Sequence, residues 1–265
     1  MPQADFALPR GTKHLWFEVI DSTNAEAMRR AASGESGPVW IWAGSQSLGR
    51  GRSGRTWASV PGNLYASLLT RLACRSDTVY QLSLLAGVAV IDAIRAAAAS
   101  QGQAIPALRL KWPNDVLIGG AKVAGILPES TSVADGGLAA IIGIGLNLAG
   151  QPEGLGREIT NLSAHGVDLS PEAALPLLDE TIQAWLARWD CGAGFSQVRT
   201  AWLERAGPSG ERIAIHAGPE RVEGMYVGID DNGSLVLRDD EGRERRFAYG
   251  DVTLGATGTG ARGPE

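Results

Sequence analysis

Cysteine and histidine are both scarce in this sequence. The two cysteines, Cys74 and Cys191, form no CxxC pair, and the three histidines, His14, His165 and His216, stand far apart. That scatter argues against a zinc site and against a His-based catalytic triad. Sparse cysteine also fits a reducing, cytoplasmic setting. The opening MPQADFALPR lacks the long apolar core of a secretory leader. No apolar run is expected to reach the roughly 18 residues that a membrane span needs. Basic residues are outnumbered, 24 against 29 acidic, for a net charge of −5. Such a chain is a poor candidate for neutralising nucleic-acid phosphates. The sequence therefore speaks for neither a membrane nor a nucleic-acid partner.

What is present is an ordinary globular balance over 265 residues, 44% hydrophobic and 20% charged. That length allows one large domain plus one small. HLWFEVI (14–20) alternates as a strand and runs into Asp21-Ser22-Thr23-Asn24, then a helix. VWIWA (39–43) and LYASLLTRL (64–72) read as strands. From Gln81 to Ala99, Leu84, Val88, Ile91 and Ile94 fall on one helical face. ALRLKW (107–112) is a strand stopped by Pro113. DVLI and AKVAGIL flank Gly119-Gly120, a two-residue hairpin signal. LAAIIGIGLNL (138–148) reads as a strand buried on both faces. Ser170-Pro171 opens a long helix with the stripe Leu175, Leu178, Ile182, Trp185 and Trp189, and a shorter helix passes through Val198 and Trp202. After Gly207-Pro208-Ser209-Gly210 come short strands parted by turns, among them RRFAYGDV. The expected division is a large domain over 1–207, a small β domain over 208–255, and a disordered tail over 256–265.

The loop Gln46-Ser47-Leu48-Gly49-Arg50-Gly51-Arg52-Ser53-Gly54-Arg55-Thr56-Trp57 is rich in glycine and arginine. Glycine lets backbone N–H groups approach an anion, and arginine forks grip phosphate or carboxylate. Gly49, Gly51 and Gly54 match G-x-G-x-x-G only formally. A dinucleotide fold needs a helix next and an acid about 20 residues on, and Pro61-Gly62 and Leu69-Thr70-Arg71 stand there instead. Arg55 likewise replaces the P-loop lysine. The bland alternative is a solvated arginine loop.

Other positions carry two readings each. Ser22-Thr23-Asn24 either caps a helix, with Thr23 and Glu26 in capping-box spacing, or binds a small polar ring. Lys111-Trp112-Pro113-Asn114-Asp115 is either a salt-bridged turn or a phosphate–metal site. Lys122 interrupts an apolar hairpin strand, so it either lies on an exposed edge or is buried against an anion. Asn147 either forms a turn or orients a metal or phosphate. Trp57 is either a core anchor or a lid that stacks on a purine.

The stretches DSTN (21–24), GRGRSGRTW (49–57), KWPNDV (111–116), KVAGIL (122–127) and GIGLNL (143–148) together resemble the biotin protein ligase family, in its order and spacing. The loop followed by KWPND is specific in combination, and the likeness spans the whole chain. Ser53 and Thr56 depart from it, where many members carry a basic or bulky residue and a lysine or glycine.

The resemblance implies an α+β fold. A mixed β-sheet backed by helices, similar to class II synthetase catalytic domains, is followed by an SH3-like β-barrel. It implies that Ser22, Thr23, Asn24 and Gln46 hold biotin, that Arg50, Gly51 and Arg52 close over biotinyl-adenylate, and that Lys122 meets the biotin carboxyl. Arg50, Arg52, Arg55, Trp57 and Asn147 would contact ATP or the adenylate. Asp115 and Asn147 would lie near magnesium. Lys122, Arg52, Asp115 and Lys111 are the candidate catalytic residues. ATP, Mg²⁺ and biotin are the implied small molecules, with no tightly bound prosthetic group. The implied partner is the biotin carboxyl carrier domain of a carboxylase.

Some relatives carry an N-terminal helix-turn-helix and act as repressors. A first core strand near His14 leaves no room for one, so the monofunctional form is expected. Two rivals remain, a lipoate ligase of the same fold and a non-catalytic biotin sensor. The sequence leaves monomer and homodimer both open.

Overall fold

The computed structural model describes residues 6–74, 78–133, 137–152 and 158–255; the expected tail at 256–265 lies outside them. The alternating N-terminal segment forms strand β1 (Lys13–Ile20). Helix α1 (Thr23–Ala32) follows at once, N-capped by Ser22, whose Oγ accepts from the Ala25 N–H at 3.4 Å. The cap thus falls one residue before Thr23. Glu26, expected to complete a capping box, instead pairs with Arg29 and Arg30 at 2.9 Å each. The Thr23 side chain is thereby released for other contacts.

The apolar runs at 39 and 64 become β2 (Val39–Gln46) and β3 (Leu64–Leu72). Beyond helix α2 (Gln81–Ser100) lie β4 (Leu108–Lys111), β5 (Asp115–Ile118), β6 (Ala121–Ser132) and β7 (Leu138–Leu146). They make one seven-stranded sheet in the order β1-β2-β3-β7-β6-β5-β4. Only β1 and β2 are parallel. The Gly119-Gly120 turn joins β5 to β6 as expected, with Ile118 opposite Ala121. The β6 strand continues through Pro128 to Ser132, past the apolar stretch that ends at Leu127.

Helix α1 covers one face of the sheet, burying Ala27 and Ala31 against Val39, Ile41, Leu69, Ala139 and Ile141. On the other face lie α2, α3 (Pro171–Trp189) and α4 (Phe195–Arg205). The α3 stripe Leu175, Leu178, Ile182, Trp185 and Trp189 is buried as its spacing requires. Helix α2 departs from the reading in two ways. It is buried nearly all round rather than along one stripe. Its mean hydropathy of 1.8 and 20 residues also make it long and apolar enough to cross a membrane, where no such run was expected. Most of it (78%) is buried inside this fold, so the apolar surface is spent on the core.

The C-terminal strands β8 (Arg212–Ala217), β9 (Glu220–Ile229), β10 (Leu235–Arg238), β11 (Glu244–Phe247) and β12 (Asp251–Leu254) form a second sheet. Its order is β11-β10-β9-β8-β12, antiparallel throughout. RRFAYGDV, expected as one strand, breaks at Ala248-Tyr249-Gly250 into β11 and β12. These two outer strands do not pair with each other, so the sheet is open where a closed barrel was expected. Ile213, Ile215, Leu235 and Leu237 join the same apolar cluster as Trp112 and Trp202. Arg109 makes a two-pronged pair with Glu211, at 2.8 and 3.0 Å. The second sheet is therefore packed firmly on the β4 end of the first.

Candidate active site

At the C-terminal end of β2 the loop 47–57 folds back over β6 and β7 and encloses a cleft of about 270 Å³. The floor is made of glycine. Gly125 of β6 and Gly145 of β7 face each other in register, and the Trp57 ring lies on both. A Cβ at either position would collide with that ring, and one at Gly143 would collide with the Asn24 amide. Small residues at these positions let side chains from the loop and from α1 descend onto the sheet. Trp57 is thus an anchor that also lines the cleft, and its buried Nε1 meets no acceptor among the described residues.

One wall is polar and tightly knit. The Thr23 backbone N–H and hydroxyl both donate to Gln46 Oε1, at 2.9 and 3.2 Å. The Ser67 hydroxyl lies 2.7 Å from Thr23 Oγ1 and 2.5 Å from Asn24 Oδ1. Asn24 Nδ2 donates to the Leu127 carbonyl at 3.1 Å and to Glu129 Oε2 at 2.7 Å. Ser67 and Glu129 were missed by the sequence reading. The signal for Ser67 was a lone hydroxyl in the apolar run LYASLLTRL. For Glu129 it was an acid directly beyond KVAGIL.

Hydrogen bonds and ion pairs hold the arginine loop, although Arg50 and Arg55 keep about half of their side chains exposed. Gly51 N–H donates to the Arg55 carbonyl at 2.7 Å, and Trp57 N–H to that of Gly49 at 2.9 Å. Arg50 pairs with Glu129 at 2.9 Å. Arg52 reaches Asn114 Oδ1 at 3.2 Å, the Gly250 carbonyl at 3.0 Å and Asp251 at 3.4 Å. Arg55 meets the same Asp251 at 2.9 Å. Burial lowers the pKa of the Arg52 guanidinium from its ordinary value, and Asp251 opposes that shift. Asp251 belongs to β12, so the C-terminal sheet contributes to this site, a contribution that no local pattern announces.

Of the three lysines in the chain, two converge on one carboxylate. Lys122, only 8% exposed, donates to Asp115 Oδ1, and Lys111 lies 3.3 Å from Oδ2. Register explains the meeting: Lys111 sits opposite Asp115 in the β4–β5 ladder, and Lys122 is two residues into β6. The Lys122 ammonium also stands 5.2 Å from the Trp57 ring centre. Burial pushes the Asp115 carboxyl up, but Lys122 and Lys111 together outweigh it, and the pKa lies below the usual carboxylate range. The buried-and-paired reading of Lys122 is the one observed.

Ser22, Thr23, Asn24, Gln46, Arg50, Gly51, Arg52, Arg55, Trp57, Lys111, Asp115 and Lys122 all line this cleft. Asn147 does not. Its amide donates to the Thr160 carbonyl at 3.1 Å, and its oxygen accepts from Asn63 at 3.4 Å. The expected magnesium pair of Asp115 and Asn147 therefore does not fit. Both Asp115 oxygens already face ammonium groups, which repel a divalent cation, and the Asn147 oxygen is engaged by Asn63 outside the cleft lining. Among the described residues no cluster of three acidic, histidine or cysteine side chains is placed to hold a metal.

Such a site, with cations and a deep polar wall on one sheet, defines an anion-activating enzyme of the Biotin/lipoate A/B protein ligase family, to which the chain belongs. That family's model matches residues 16–147, and the Biotin protein ligase C terminal domain matches 209–255. Within the family its relatives are biotin ligases. It is similar to a biotin–[acetyl-CoA-carboxylase] ligase of Paracoccus denitrificans, 42% identical over 84% of this chain and 93% of that protein. It is 30% identical to the bifunctional ligase/repressor BirA of Escherichia coli, over 89% of this chain and 72% of that protein. Its fold matches the biotin protein ligase of Aquifex aeolicus in complex with biotin and ATP, with a TM-score of 0.76 and 26% identity, over 92% of this chain and 99% of that one.

Proposed function

We propose that this protein adenylates biotin with ATP and transfers the biotinyl group to a lysine of a carboxylase carrier domain. The observation that carries the reading is the buried Lys122–Asp115–Lys111 group beside the arginine loop, in a chain with biotin-ligase relatives.

In the first step a biotin carboxylate oxygen attacks the α-phosphorus of ATP, and the bond to the β-phosphate oxygen breaks. Biotinyl-AMP and pyrophosphate form. Two anions must approach, so fixed cations lower the barrier. Lys122 holds the biotin carboxylate, Arg50 and Arg52 the phosphate side, and Arg55 the loop's outer turn. Thr23, Asn24 and Gln46 present polar groups to the ring, with Ser22 fixing the helix start beneath them. Trp57, seated on Gly125 and Gly145, presents its ring to the bound ligand. The closed loop shields the mixed anhydride from water. Magnesium accompanies ATP in such reactions, and no protein group here is assigned to it.

In the second step the neutral amine of a carrier lysine attacks the acyl carbon, the acyl C–O bond breaks with its electron pair going to AMP, and the amine's proton passes to solvent. Lys122 faces the carbonyl oxygen as negative charge develops there. Asp115 is a holder of the two lysines, not the proton acceptor. A carboxyl below its usual range with both oxygens paired is a weak base at neutral pH.

Purified protein given ATP, magnesium and biotin should release pyrophosphate and accumulate biotinyl-AMP, and lipoate in place of biotin should not support this. Lys122→Ala should lower biotin-dependent pyrophosphate exchange by about 100-fold or more. Exchange at the parent rate would remove Lys122 from the reaction, and failure of the parent to form the anhydride would sink the whole reading.

A further inference from the structure

One oxygen serves two sides of the cleft. Glu129 Oε2 accepts from Asn24 Nδ2 at 2.7 Å and from Arg50 at 2.9 Å. Asn24 belongs to the polar wall, and Arg50 to the loop. Glu129 itself stands behind both on β6, opposite Ile141, and is not among the residues that line the cleft. The Asn24 amide is otherwise committed to the Leu127 carbonyl and the Ser67 hydroxyl, so its orientation is fixed on three sides. The Arg50 side chain is about half exposed and pairs with Glu129.

We infer that Glu129 is a positioning residue that ties the ring-holding wall to the arginine loop, so that the loop closes firmly only over a correctly set Asn24. This rests on the adenylation reading above. The carboxylate touches no reacting atom. It acts by holding Asn24 and Arg50 in register, and it does so with charge, because both partners are donors. A carboxamide in its place keeps the shape and one acceptor oxygen but removes the charge that Arg50 is drawn to.

The test is the rate at which preformed biotinyl-AMP leaves the protein, measured at low and high salt in the parent, in Glu129→Gln and in Glu129→Asp. Loss of one charge-assisted contact predicts an off-rate raised about tenfold in Glu129→Gln. The parent rate should rise with salt, because the Arg50–Glu129 pair is partly exposed and screened, and the Gln variant should show a weaker rise, the part left by the cations that hold the ligand itself. Glu129→Asp keeps the charge one carbon further back and should fall between the two. A merely structural role would lower the melting temperature without changing the off-rate or its salt response. Off-rates in both variants equal to the parent's, with salt dependence intact, would overturn the inference alone. A parent that forms no biotinyl-AMP would overturn the reading beneath it.

Discussion

At the scale of single residues, the decisive feature is that a buried lysine is compensated before any ligand arrives. An ammonium as buried as Lys122 is costly unless paired, and removing its partner from such a pair typically costs about 3–5 kcal/mol. Lys111 still faces Asp115 on its other side, which shows the carboxylate to be the centre of the group. This has a pH signature. The folded Asp115 pKa lies below its unfolded value, so the native state binds fewer protons than the unfolded chain. The resulting stability is present above about pH 4, the ordinary Asp value, and is lost as pH falls through the folded pKa. Urea titrations at pH 5 and pH 3 should show a smaller loss in Asp115→Asn than in the parent, and an equal loss would contradict the pairing. The polar signals at Lys122, Asp115 and Lys111 were legible from the chain because an ion inside an apolar strand needs a partner. Which partner it takes was not, since that depends on a register between β4, β5 and β6.

At the scale of elements, a strand pattern placed most of the sheet. Alternation and apolar runs bounded by Gly and Pro located β1 to β7, because burial on a pleated surface imposes that pattern directly. The capping residue of α1 was misplaced by one: Ser22 caps the helix, and the Thr23 hydroxyl goes to Gln46 instead. The role of the β6 and β7 glycines was invisible, because no local pattern says that an indole will lie on Gly125 and Gly145. That contact gives a sharp expectation for Gly145→Ala. The added methyl meets the Trp57 ring, and the overpacking should cost about 1–3 kcal/mol and push the loop outward. Thermal melting should report the stability loss, and biotin-dependent pyrophosphate exchange should fall with it. A variant with the parent's melting point and activity would show that the ring does not rest there.

At the scale of the whole molecule, the second sheet completes the first. Arg109–Glu211 and the shared apolar cluster fix the two together, and Asp251 reaches across to Arg52 and Arg55. No sequence reading could pair positions some 200 residues apart. Nor could it show that β11 and β12 stay unpaired, because closure depends on how the ends of the sheet curl. The Asp251 contacts are partly exposed, so each is worth about 1 kcal/mol or less. Asp251→Asn should therefore raise the KM for ATP by less than about tenfold and leave the biotin KM near the parent value, as initial-rate kinetics would show. A hundredfold loss would mean that Asp251 does more than hold the loop.

Five cations around the cleft, Arg50, Arg52, Arg55, Lys111 and Lys122, already face three carboxylates, Glu129, Asp251 and Asp115. These groups keep a net charge of +2, five positive against three negative, so an arriving nucleotide meets a field much weaker than that of five bare cations. Capture should then slow only modestly as ionic strength rises, and the pairs can stay in place to hold the loop once the nucleotide is seated.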